Sequence, residues 1–333
     1  MHRYHLPGRK RRRSATFYEF DGYGFTNMKF SVQLPIHWRD TPETFNHGGK
    51  IASLAAEIEQ AGFDACFVTE HPAPSLSWLE SGGHHTLDPF VALSFAGAGT
   101  THLRLHTNIL VLSYRNPLLT AKAVASLDVL SQGRVICGVG VGYMQGEFAA
   151  LGADFQQRGK ASDEALEVMK AAWTGEPVTY DGIGFDAYEA VVQPRCAQRP
   201  HPPLWIGGNS EHAIRRAVRY GDAWTPFPTS RAGVTAALPD INALKQRIGI
   251  AREISDQYGR QTSLDICMVP FGWSMNDTAE VDSTALVDQL HCLRELGVTW
   301  AVLALEANSE QQYRERLQAL GEDVLAPIRE GSV

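Results

Sequence analysis

The chain has 333 residues, 44% of them hydrophobic and 20% charged, with a formal net charge of −7. That length suits one (β/α)8 barrel with insertions, and the apolar fraction is ample for a large core. No apolar run approaches the roughly 20 residues needed to span a bilayer, which argues against a membrane protein. The five scattered cysteines, without a C-x-x-C pair, read as buried thiols of a cytoplasmic protein rather than disulfides or zinc ligands.

The first 27 residues stand apart. They carry six Lys/Arg, five of them in RKRRR at 9–13, and two acids; the remainder holds 24 bases against 35 acids, a net −11. No apolar segment follows the basic run, so it is expected to be a disordered basic tail ahead of a folded domain at 28–333 rather than a secretion signal. The acidic body argues against a nucleic-acid partner.

From Met28 short β-branched or aromatic runs alternate with amphipathic helical ones, the pattern of a parallel sheet. The first strand is expected at 28–33, followed by Trp38 and a helix at 48–62. The second, DACFVTE at 64–70, delivers Glu70 and His71, and Pro72 then stops any helix. After a helix at 88–99 comes LRLHTNILV at 103–111, with Asn108 and Ile109 near its end. SYRNP (113–117) leads into a helix at 117–131.

The fourth strand, RVICGVG at 134–140, opens the stretch GVGVGYMQGEF. A dinucleotide fingerprint needs G-x-G-x-x-G, and its last glycine would have to fall on Tyr143 or Gln145. A Walker ending is also missing, so Gly140, Val141 and Gly142 call for another account. They either bare the backbone for a flat ligand or ease packing inside the barrel. Glu147 could reach back toward the strand end only if its segment is helical, and reads rather as part of a solvated helix face.

Residues 142–202 are too long for a simple crossover; a helix at 160–173 and a hairpin at 178–194 make them an insertion after strand four. The fifth barrel strand, PLWIGG at 203–208, runs through Gly207, Gly208, Asn209 and Ser210 into a helix at 210–220. That turn reads as an anion site or as plain N-capping, and the two are compatible. Strands at 222–227, 264–270 and 300–305 alternate with helices at 240–258, 282–296 and 309–321. The reading is one (β/α)8 TIM barrel with an insertion after strand four.

In such barrels the C-terminal strand ends carry the chemistry. No lysine stands at such an end, which removes a Schiff-base aldolase. H-x-H, H-E-x-x-H and G-x-S-x-G are absent. Glu70, Asp222 and Glu306 alone suggest a carboxylate metal site, with nothing nearby to support it, so no metal is assigned. His71 is the strand-end histidine and is read as the acid/base group for redox at a substrate carbon. Glu70 orients it or salt-bridges within the rim; Tyr143 and Trp38 wall the substrate.

GFDACFVTEHP, the run from LHTNILVLSYRNP to GVGVGY, EFAALGADFQQRG and RPHPPLWIGGNS together resemble the bacterial luciferase-like family. They are most similar to its oxidoreductases dependent on the deazaflavin coenzyme F-420, from Met28 to about Phe227. The resemblance implies that His71 faces the reactive edge of the ring and that Asn108–Ile109 is a cis peptide backing it. It further implies that Gly140, Val141 and Gly142 run along the pyrimidine edge and that Gly207, Gly208, Asn209 and Ser210 hold the phosphate. Sugar-phosphate dehydrogenases of the family have an acid right after the strand-four glycines, where Tyr143 stands here. The alternatives are an FMN-dependent monooxygenase and a non-catalytic flavin-binding protein. The family also implies a small-molecule substrate and a homodimer.

Overall fold

Among the described residues ten strands form in the order the apolar runs dictate: β1 (Lys29–Gln33), β2 (Ala65–Val68), β3 (Arg104–Val111), β4 (Val135–Gly140), β5 (Val178–Gly182), β6 (Phe185–Ala190), β7 (Leu204–Gly207), β8 (Ala223–Thr225), β9 (Asp265–Met268) and β10 (Trp300–Leu303). Eight of them close a barrel in the order β1-β10-β9-β8-β7-β4-β3-β2, while β5 and β6 form a separate antiparallel hairpin. The pairings within the barrel are parallel. The structure is a computed structural model describing residues 28–36, 47–229, 236–273, 282–305, 307 and 309–331. The tail expected at 1–27, Trp38 and Glu306 lie outside the described residues.

The helices between the strands are α1 (Gly48–Gln60), α2 (Leu76–Glu80), α3 (Pro89–Ala98), α4 (Pro117–Leu130), α5 (Gln145–Ala150), α6 (Arg158–Trp173), α7 (Glu211–Tyr220), α8 (Ile241–Gln257), α9 (Ser283–Glu295), α10 (Glu310–Leu320) and α11 (Ala326–Glu330). Asp88 and Asn116 start α3 and α4 by accepting two backbone N–H groups each, and Pro89 and Pro117 sit at the first helical position, where no N–H is needed. α2, α5 and α11 are additions to the expected elements. Each is only five or six residues long, too short to show a periodic apolar face. Among the described residues no helix is long and apolar enough to cross a membrane. All five cysteines are unpaired, and Cys292 is exposed rather than buried as expected.

Side chains alternate across each strand, and this sorts the core into two parts. Cys66, Val68, Val135, Cys137, Leu204 and Ile206 join the large cluster beneath the helices. Ala65, Phe67, Ile136, Trp205, Ala223, Cys267, Trp300 and Val302, drawn from six strands, fill the barrel interior. Trp205 meets Trp300 edge-on at 4.9 Å and His106 at 4.6 Å, so aromatic rings plug the interior. His106 is fully buried with its Nδ1 3.1 Å from Ser31 Oγ, and burial depresses its pKa to about 3. The same alternation carries the interior upward to Gly138, Gly140 and Gly207.

Candidate active site

The candidate catalytic, cofactor and substrate residues read from the sequence, apart from Trp38, gather at the C-terminal ends of β2, β3, β4 and β7. These are consecutive neighbours in the barrel, so the ends form one continuous arc of its mouth. Asp222, by contrast, precedes β8 and accepts the Leu204 amide at 2.8 Å, away from Glu70. Among the described residues no three His, Cys, Asp or Glu side chains are grouped to hold a metal ion.

At the end of β3 the Asn108–Ile109 peptide is cis, and the register against β4 shifts between Thr107 and Leu110. A bulge of this kind re-aims the side chains that follow it. Here it directs Ile109 over the strand-four glycines. A Cβ placed on Gly140 would lie 2.1 Å from Ile109 Cδ1, and one on Gly207 3.0 Å from the same atom. A Cβ on Gly138 would meet the Thr107 carbonyl at 2.1 Å. Of the two readings of the glycine run, close packing is therefore what Gly138 and Gly140 provide. Gly142 packs likewise on Val111 and Phe148, and the Val141 carbonyl accepts Ser113 Oγ at 3.1 Å.

Glu70 is 4% exposed. Its Oε2 accepts the Val111 amide at 2.7 Å and its Oε1 accepts Arg115 Nε at 2.6 Å, while Arg115 also pairs with Asp88 at 3.2 Å. Burial raises the Glu70 pKa against the opposing pull of Arg115. The carboxylate thus ties the end of β2 to β3 just beyond the bulge, and both its oxygens are engaged there rather than on His71.

His71 instead meets Glu147, whose Oε2 lies 3.5 Å from His71 Nδ1. Glu147 is 1% exposed, not on a solvated face: α5 turns it inward, where it also accepts Tyr114 Oη at 3.1 Å and the Ala73 amide at 3.2 Å. Burial and the Glu147 charge raise the Tyr114 pKa well above the phenol range, so the hydroxyl stays a donor. The His71 ring is flanked by Trp78 at 4.6 Å and by His84 edge-on at 4.9 Å. Tyr143 is half-exposed, and desolvation together with Glu147 raises its pKa.

Just after β7, Gly208 has φ +127 and a Cβ there would come within 2.9 Å of Ala213 Cβ. Ser210 caps α7 by accepting the Ala213 amide at 3.2 Å, which leaves the preceding N–H groups at the helix start without intrahelical partners. Asn209 turns away from that start. Its Nδ2 donates to the Phe227 and Ala236 carbonyls at 2.8 and 2.9 Å, and its Oδ1 accepts the Phe227 amide at 3.0 Å. Thr225 Oγ1, 3.4 Å from the Cβ position of Gly207, is buried with no hydrogen-bond partner among the described residues. Glu211, in the first turn, is drawn aside by Arg215 at 2.6 Å.

The chain belongs to the luciferase-like monooxygenase family, whose model matches residues 28–318. An uncharacterised Mycobacterium tuberculosis protein is 31% identical over 269 residues, covering 74% of this chain and 94% of its own. An F420-dependent glucose-6-phosphate dehydrogenase of Intrasporangium calvum is 30% identical over 85% of this chain and 89% of its own. Among solved structures, a monooxygenase from Streptomyces bottropensis superposes with TM-score 0.72 at 19% identity, over 90% of this chain and 99% of that one, a likeness of fold.

Proposed function

We propose that this protein transfers a hydride between bound coenzyme F-420 and a small organic substrate, with FMN-dependent oxygenation as the alternative. The observation that carries the reading is the unbroken arc β2-β3-β4-β7, on which the strand-end histidine, the bulge, the glycines and a capped helix start all lie. Support for the deazaflavin comes from the 30% identical F420-dependent relative; the alternative rests on the monooxygenase chemistry for which the family is named.

The residues at the end of β7 fit a phosphate-bearing cofactor: a glycine where a Cβ would collide, a helix start whose first amides have no intrahelical acceptor, and the orphaned Thr225 hydroxyl. Gly207 and Gly208, bare of side chains, would give the phosphate room and Ser210 would hold it through backbone and hydroxyl, with Asn209 bracing the loop and the Gly208 amide tied to the Thr225 carbonyl at 3.2 Å. Asn108, Ile109, Gly140, Val141 and Gly142 would support the ring, Ile109 contributing surface that the glycines make room for. When bound, the deazaflavin supplies a two-electron hydride acceptor or donor that reacts poorly with oxygen. His71 would take the proton from a substrate hydroxyl as the carbon is oxidised, or return it on reduction. Tyr143 would line the substrate side. Because it replaces the acid of the sugar-phosphate dehydrogenases, a sugar phosphate is not the proposed substrate. We place the protein in the cytoplasm, which its five unpaired cysteines support. A homodimer is the proposed assembly, and the exposed Val91 and Phe95 of α3 and Leu119 of α4 offer it apolar surface.

Titration of the apo-protein with F-420 and with FMN, followed by a screen of alcohols and carbonyls for cofactor reduction or oxidation, tests this reading. F-420 binding and turnover are expected, and His71→Ala should bind F-420 yet lose turnover by roughly 10²–10⁴-fold. Tight FMN binding with substrate-dependent oxygen uptake, and no F-420 binding, would overturn it.

A further inference from the structure

We propose that Glu147 is a positioning residue for His71, accepting the Nδ1 proton so that Nε2 carries the lone pair. The inference rests on the reading of His71 as the acid/base group. An ionised carboxylate only accepts hydrogen bonds. At 1% exposure Glu147 is cut off from water, so its charge depends on protein donors. Two are fixed: the Ala73 amide on Oε1 and the Tyr114 hydroxyl on Oε2. The third group in reach is His71 Nδ1, on the same Oε2 as Tyr114. A neutral imidazole carries one proton, and the carboxylate draws it to the nitrogen it faces.

The geometry around the ring agrees. Trp78 and His84 pack against the imidazole and, at 5.2 Å, against each other, a ring cluster that backs His71 while its Nδ1 faces Glu147. Ala73, whose amide binds the same carboxylate, lies two residues beyond His71, so Glu147 fixes the segment as well as the ring. When Nε2 accepts a substrate proton, the resulting imidazolium lies beside a carboxylate already in place. This is the arrangement by which a buried acid sets the tautomer of a catalytic histidine without itself taking the proton.

A purely structural Glu147 would pin the 71–73 segment and Tyr114 and leave the imidazole tautomer indifferent. Long-range proton–nitrogen spectra of the full-length protein labelled with 15N-histidine separate the two, with His71→Ala identifying the signal. Neutral His71 is expected to carry its proton on Nδ1. In Glu147→Gln, whose amide group can donate to Nδ1, the share protonated on Nε2 should rise at least tenfold while the fold and F-420 affinity persist. Turnover of that variant should fall about tenfold or more, with KM little changed. A wild-type His71 already protonated on Nε2 overturns the inference whatever the variant does, and so does an unchanged tautomer in folded Glu147→Gln. Full turnover in His71→Ala would instead sink the acid/base role and leave the tautomer result standing by itself.

Discussion

Ile109 Cδ1 lies where a side chain on Gly140 would begin, 2.1 Å from the Cβ position. The atom displaced is the tip of a flexible chain, so Gly140→Ala should fold with Ile109 pushed off its rotamer, at about 1–3 kcal/mol. Ile109→Val deletes the colliding methyl. In a double-mutant cycle read by urea denaturation, the Ile109→Val background should recover more than half of the Gly140→Ala loss. Additive losses would show that the two residues do not share that space.

Gly208 is held at φ +127 with Ala213 at its back. Gly208→Ala should therefore weaken the fold itself, by about 1–3 kcal/mol, before any ligand is considered. Ala213→Gly removes the steric part and leaves the backbone part, so the double variant should regain only a fraction of the lost melting temperature. A Gly208→Ala protein that melts like wild type would contradict the left-handed conformation.

Arg115 is the cation that offsets buried Glu70. Arg115→Met should cost about 3 kcal/mol at pH 7, because it strands a carboxylate out of water. The deficit should shrink toward pH 5 as Glu70, its pKa already raised by burial, takes up a proton in the folded variant. Adding Glu70→Gln should restore part of the loss. A cost below about 0.5 kcal/mol would reduce the pair to an ordinary surface contact.

His106 titrates near 3 when folded against an ordinary 6.5. The unfolded chain therefore binds a proton that the folded one refuses. The contribution is fully present above pH 6.5, falls by about 1.4 kcal/mol per pH unit below it, and levels off near pH 3. Denaturation of wild type and His106→Gln at pH 7, 6 and 5 should give a flatter profile for the variant by about one proton. Parallel profiles would mean that His106 is charged in the folded state or not enclosed.

The eight barrel strands are readable because apolar, β-branched runs of four to eight residues bounded by turns have few other homes. The insertion hairpin is readable for the same reason. What escaped was side-chain direction. Glu147, on a short helix after a glycine-rich turn, has the local look of a solvated acid; only the approach of His71 and Tyr114, 76 and 33 residues away, shows its burial. Asn209 reads as part of an anion-binding or capping turn, yet its partners lie 18 and 27 residues downstream. The strand-four glycines look like an opening until Ile109, re-aimed by a bulge that no local pattern announces, is seen filling it. Tyr114 stood in plain view within SYRNP without a signal separating it from a rim residue.

The strand order has a consequence for recombination. β2, β3, β4 and β7 are neighbours in the barrel and also run consecutively along the chain, interrupted only by the hairpin, whereas the opposite side is assembled from β1 at one end of the chain and β8 to β10 at the other. A segment cut before β2 and after α7 is thus a transplantable cassette: it takes with it His71–Glu147 and the proposed cofactor-binding groups other than Thr225, and the strand seams it severs are β1–β2 and β7–β8. Chimaeras within the family should inherit cofactor preference from the donor of the middle segment and substrate preference largely from the donor of the two flanks.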